Sequence, residues 1–186
     1  MKRILSAMAV LALVLGSGSA ILQADQSASA TTKVFVTVSP NVAVANTLSI
    51  WDLGSVQTGI FTASIIWRVD ANAQFVNMQI AASSLYKGDD PTNKDVAPIV
   101  VRVASPVRVT PTNGNEANSG DNLLAWDGAG PVINGYPTTN TEVGRFESSQ
   151  NGHFSQNVTT TITYSQTDPE KPQGQYSGVV RLLVLI

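Results

Sequence analysis

Phe61-Thr62-Ala63-Ser64-Ile65-Ile66-Trp67-Arg68-Val69 places Phe61, Ala63, Ile65, Trp67 and Val69 on one face of an extended chain and Thr62, Ser64, Ile66 and Arg68 on the other. Successive side chains of a strand point to opposite sides, so an apolar period of two predicts a strand with one face in a core. The stretch is rich in β-branched and aromatic residues and has no helical period. It therefore sets the class of the whole chain as all-β, provided the pattern recurs.

It does recur on both sides. Asp70-Ala71-Asn72-Ala73 offers a tight connection to the alternating run Phe75-Val76-Asn77-Met78-Gln79-Ile80-Ala81, and the two runs predict a hairpin. Residues 86–95, with Gly88, Asp89, Asp90, Pro91 and Asn93, read as a polar loop. Residues 96–103 and 107–109 predict further strands separated by Pro106. Residues 111–152, rich in Asn, Gly, Thr and Pro, predict mostly loop with one or two short strands near Leu123-Leu124-Ala125-Trp126. Residues 157–165 set Val158, Thr160, Ile162 and Tyr164 on one face, and after the turn at 167–174 a last strand runs over 175–186. On the N-terminal side, residues 42–50 form a short apolar run. Before it, Thr31-Thr32-Lys33-Val34-Phe35-Val36-Thr37-Val38 sets Val34, Val36 and Val38 on one face until Ser39-Pro40-Asn41 stops it. About seven to nine short strands joined by turn-rich links predict an immunoglobulin-like β-sandwich over residues 39–186.

The N-terminus has three zones: basic Met1-Lys2-Arg3, an apolar run over 4–15, and small residues over 16–20. That order predicts a cleavable signal peptide over residues 1–24, cut after Ala20 or Ala24, because the apolar run is too short to span a bilayer as an anchor. The mature chain would keep about 160 residues, enough for one core. With no cysteine in its 186 residues, an exported chain relies on burial, sheet pairing or association for stability. A net charge of −2, with 13% charged residues and no basic run, argues against nucleic acid as a partner.

Catalytic constellations are scarce. His153 is the one histidine, in Gln150-Asn151-Gly152-His153-Phe154 without a nucleophile motif, so it reads as a loop residue. Zinc sites need three or four good ligands that this composition does not supply. Asp89, Asp90, Asn93 and Asp95 crowd one loop and Glu116, Asn118, Asp121 and Asn122 another, but neither has EF-hand spacing, and both read as solvated turns. Trp67 falls on a core face; Trp51 and Trp126, each followed by Asp, are the better candidates for a carbohydrate platform, with core packing as the competing reading. The sequence calls for no cofactor and no small-molecule substrate. It points to a structural or binding protein, not an enzyme.

The two ends of the mature chain carry the functional expectation. The last strand, through Tyr176, Val180, Leu182, Val184 and Ile186, is apolar on both faces, so it is either a central strand paired on both edges or an edge that another chain must cover. Residues 25–38 form a small and polar tether followed by an alternating strand, which suits donation to a neighbouring sheet. The signal sequence, the strand over 31–38, the turn over 168–175 and the ending Gly174-Gln175-Tyr176-Ser177-Gly178-Val179-Val180 together resemble the pilin subunits of the chaperone-usher type and the related spore-coat-U-like proteins. That resemblance implies an incomplete immunoglobulin-like sandwich completed by the next subunit's N-terminal strand. Val34, Val36 and Val38 would be the donor residues. Tyr176, Val180, Leu182, Val184 and Ile186 would face the neighbouring subunit or a periplasmic chaperone. It further implies a homopolymer, assembled at an outer-membrane usher after transit through the periplasm and displayed as a cell-surface fimbrium. A monomeric secreted binding module, using residues 111–152, is the alternative.

Overall fold

The structure, a computed structural model, describes residues 31–48, 52–112, 122–149 and 152–186. The expected signal peptide and its cleavage position, Trp51, and the Glu116, Asn118 and Asp121 loop lie outside them. By contact the chain divides into two units, Met1–Thr37 and Val38–Ile186. Among the described residues every strand belongs to the second unit, and none is helical.

The strands are β1 (Val42–Asn46), β2 (Gly59–Ala71), β3 (Phe75–Ser83), β4 (Tyr86–Lys87), β5 (Val100–Val101), β6 (Val107–Pro111) and β7 (Leu123–Leu124). They continue as β8 (Trp126–Ala129), β9 (Thr138–Thr141), β10 (Gly144–Glu147), β11 (Phe154–Gln166), β12 (Tyr176–Ser177) and β13 (Val180–Leu185). One antiparallel sheet has the order β1-β2-β11-β6-β7, with β5 also on β11. In the other, β3 pairs with β13 along one edge and with β10 and β9 along the opposite edge, and β8 pairs β9. A small ladder joins β12 to β4. The result is an all-β sandwich.

β2 and β11 form its backbone, paired from Gly59↔Gln166 to Ala71↔Phe154. The alternation in sequence becomes alternation in burial: Ala63, Ile65, Trp67 and Val69 from β2 and Val158, Thr160, Ile162 and Tyr164 from β11 are all buried. All but Thr160 meet Val76, Met78, Ile80, Leu182 and Val184 of the other sheet in one apolar cluster. Burying such side chains contributes about 1.5–3 kcal/mol each, which is why the two long strands dominate the fold. The indole N–H of Trp67 is paired inside the core, donating to Thr160 Oγ1 at 2.9 Å.

The predicted hairpin between residues 61–69 and 75–81 does not form. β2 and β3 lie in different sheets, joined by a connection that crosses the sandwich. Each strand carries an apolar face, and the two faces bury each other only from opposite sheets; side by side in one sheet they would both face the same way. Asn72 secures this corner. Its N–H donates to the Asn41 carbonyl at 3.1 Å, its Oδ1 accepts from the Asn41 N–H at 2.7 Å, and its Nδ2 donates to the Ser39 carbonyl at 2.8 Å.

Residues 111–152 hold more structure than their composition suggests. β8, β9 and β10 lie there, and β9 with β10 covers the far edge of β3. The pairing passes from Asn140↔Ala81 to Gly144↔Met78, four steps on one strand against three on the other, which is a bulge. Thr141 fills it, its Oγ1 accepting from the Ile80 N–H at 2.9 Å. Of the strand expected over 96–103, only β5 pairs, next to a single bridge between Leu85 and Ile99.

Candidate functional site

In the order of an immunoglobulin-like sandwich, A-B-E-D on one sheet faces C-F-G on the other. Here β1-β2-β11-β6 occupies the first set and β3-β13 supplies C and F. Among the described residues no strand lies beyond β13 in the place of G. Among the described residues the last strand is thus paired on one side only, with β3. Nor is the ending continuous. Gly178 separates β12 from β13, and a Cβ there would fall 2.6 Å from Ser83 Oγ and 2.7 Å from the Ser84 carbonyl oxygen. Ser83 Oγ in turn accepts the Val179 N–H at 2.9 Å, which sets the start of β13.

The register shows which backbone groups are free to pair. Ser83 N–H donates to the Val179 carbonyl at 2.9 Å, and β13 then runs antiparallel to β3 from Val180↔Ala82 to Leu185↔Asn77. Bonded and non-bonded pairs alternate along such a ladder, so Arg181, Leu183 and Leu185 direct their N–H and C=O groups at β3. Val180, Leu182 and Val184 direct theirs outward. The same reading applies to β1, where Thr47 N–H donates to the Ile66 carbonyl and Asn72 N–H to the Asn41 carbonyl, both at 3.1 Å. Val42, Val44 and Asn46 therefore point their backbone groups away from β2.

β1 and β13 are neighbours, each at the edge of its own sheet. Between them the cover of the core is incomplete. Leu182 and Val184 are buried from the β13 side, but Val44, opposite fully buried Val69, is 38% exposed and Ile186 is 44% exposed. At one end of this opening, where β1 starts and β13 ends, Val38, Pro40, Asn72, Ala73 and Ile186 line a cavity of about 280 Å³.

The structure thus brings Val180, Leu182, Val184, Ile186 and Val38 of the expected interface to one edge. Val34 and Val36 belong to a segment with no ladder; residues 31–41 carry no strand, and both side chains are almost fully exposed. The strand expected there is missing for a physical reason: strand geometry persists only when its N–H and C=O groups find a partner ladder. Tyr176 is not at the edge. It sits half-buried in β12, opposite Lys87, and its hydroxyl donates to the Pro172 carbonyl at 2.9 Å.

Sequence reasoning did not single out Val42 and Val44, the apolar residues on the β1 side of the opening. Their signal was present in the alternation Val42-Ala43-Val44-Ala45, but only the neighbouring edge gives it meaning.

The other candidates resolve differently. Asp89 accepts from Ser177 Oγ at 2.6 Å and from the Tyr136 hydroxyl, Asp90 from Thr92 N–H and Oγ1 at 2.9 and 2.6 Å, and Asn93 Oδ1 from the Asp95 N–H at 2.9 Å. The Ser177 bond first, and then the Tyr136 bond, hold the Asp89 carboxyl below its ordinary range. These oxygens tie loops together, and no group of three acidic or histidine side chains among the described residues is arranged for a metal. Trp67 is core. Trp126 packs against the core and donates its Nε1–H to the Ser105 carbonyl at 3.0 Å, so its ring is not a free platform. No protein-family model and no curated protein matches this chain.

Proposed function

We propose that this protein is an exported structural subunit that polymerises by strand donation, its N-terminal strand entering the open edge of the next copy. The observation that carries the reading is the edge between β1 and β13, where among the described residues an apolar strand has no outer partner and Val44 and Ile186 are partly exposed. An unpaired apolar edge is a template for another strand. The chain also holds a matching segment: Val34, Val36 and Val38 alternate at the spacing that would place all three in such an opening once the segment is extended. Head-to-tail repetition of this contact is heterologous and does not close, so it yields a fibre. During export the same edge needs a temporary cover, the role that the resemblance to chaperone-usher subunits assigns to a periplasmic chaperone.

The test is the mass distribution of the mature protein by light scattering, with and without residues 25–38. Large polymers that vanish on truncation are the expected outcome. A monomer of equal size in both forms would overturn the proposal and direct attention to a monomeric binding role.

A further inference from the structure

Phe35 has no place among the donor residues. It alternates with Val34 and Val36, so an inserted strand that turns the valines inward turns Phe35 outward. In the single chain it is 85% exposed, a large aromatic surface that a soluble subunit has little reason to keep. On the acceptor, the outer face of β13 carries a complementary feature. Leu183 is half-buried and Leu185 is 48% exposed, both on the side away from the core, opposite Gln79 and Asn77 of β3.

We infer that Phe35 packs on Leu183 and Leu185 of the neighbouring copy, and that this contact on the outside of the sandwich fixes the direction and register of the donated strand. The inference rests on the strand-donation reading. The residues of β13 with outward backbone groups are Val180, Leu182 and Val184, and an antiparallel strand that pairs Val38, Val36 and Val34 with them matches residues 33–38 to Val180–Leu185 without remainder. Phe35 then stands opposite Leu183 with Leu185 as its diagonal neighbour, within reach of an aromatic ring. Thr37 meets Arg181 and Lys33 meets Leu185. A parallel strand whose three valines meet the same three residues instead sets Phe35 against Arg181, which leaves Leu183 to Thr37 and Leu185 to Ser39. The inward valines alone are nearly interchangeable and specify direction poorly. Phe35 is the residue that breaks the tie.

Because the chain has no cysteine, cross-linking reads the register without background. Phe35 and Leu183 would form a non-hydrogen-bonded pair, the closest kind, with Cα atoms about 4.5 Å apart, within disulfide range. Mature full-length F35C is mixed with L183C, or with R181C, and oxidised. Expected is a cross-linked dimer with L183C and little with R181C, together with about tenfold faster subunit exchange in F35A polymers than in wild type. Cross-linking to R181C in place of L183C, or F35A polymers that exchange at the wild-type rate, would overturn the inference while leaving strand donation standing. Polymers that persist without residues 25–38, or no polymer at all, would remove both.

Discussion

Proline scanning of β13 gives a sharp test of the open edge, because the ladder assigns neighbouring residues opposite roles. The Leu183 N–H points at β3, in the bonded pair with Gln79, whereas the Val180 N–H points away from the sandwich. Leu183→Pro deletes a ladder bond, a net loss of about 1 kcal/mol, and leaves the Gln79 carbonyl without its donor at a further cost of about 1–3 kcal/mol, so the fold should lose about 2–4 kcal/mol. Val180→Pro removes only a donor that faces outward, as edge strands tolerate, and should cost less than about 1 kcal/mol. Leu183→Ala measures the side-chain share and is subtracted. The assay is urea unfolding followed by the fluorescence of buried Trp67, at protein concentrations low enough to hold the chain monomeric. Polymerisation responds in the opposite sense, with Val180→Pro impairing strand donation in a subunit that remains folded. If the two prolines destabilise the fold equally, the outer edge of β13 is occupied and the reasoning fails.

Other consequences are quick to check. Ile162→Ala, which empties a fully buried position, should cost about 2–5 kcal/mol by denaturant titration, whereas Thr161→Ala on the outer face stays within about 0.5 kcal/mol. Thr160→Val keeps the shape but removes the acceptor of the Trp67 Nε1–H, and should cost about 1–3 kcal/mol with a shift in tryptophan emission. Gly178→Ala forces a Cβ against Ser83 and the Ser84 carbonyl, and about 1–3 kcal/mol of destabilisation is expected, with the first pairs of β13 losing hydrogen-exchange protection. Asp70 is held below its ordinary 3.8 by its bonds from Arg68 and then Ser155, and Asp89 below the same value by Ser177 and then Tyr136. Lowered carboxyl pKa values in the fold give stability that is present above about pH 4 and lost as pH falls through the folded values. The midpoint of thermal unfolding should therefore drop on acidification in that window, and Asp70→Asn with Asp89→Asn should flatten the drop.

What the sequence determined by itself is the class of the elements and which side of each faces the core. Alternation over Ala63 to Val69 and over Val158 to Tyr164 survives as a buried face and a less buried one, because the pleat imposes a period of two on any strand whatever its partner. Partner choice was beyond it. That β2 and β3 face each other across the core, that residues 138–147 cover one edge of β3, and that β13 has no outer partner among the described residues all depend on pairings between residues far apart in the chain. The same apolar alternation in Tyr176 to Ile186 is compatible with a central strand or an edge, since a strand's side chains record its faces but its hydrogen-bonding edges are backbone, alike for every residue. Only the assembled sheets show which backbone groups are left over, and the candidate site consists of those groups.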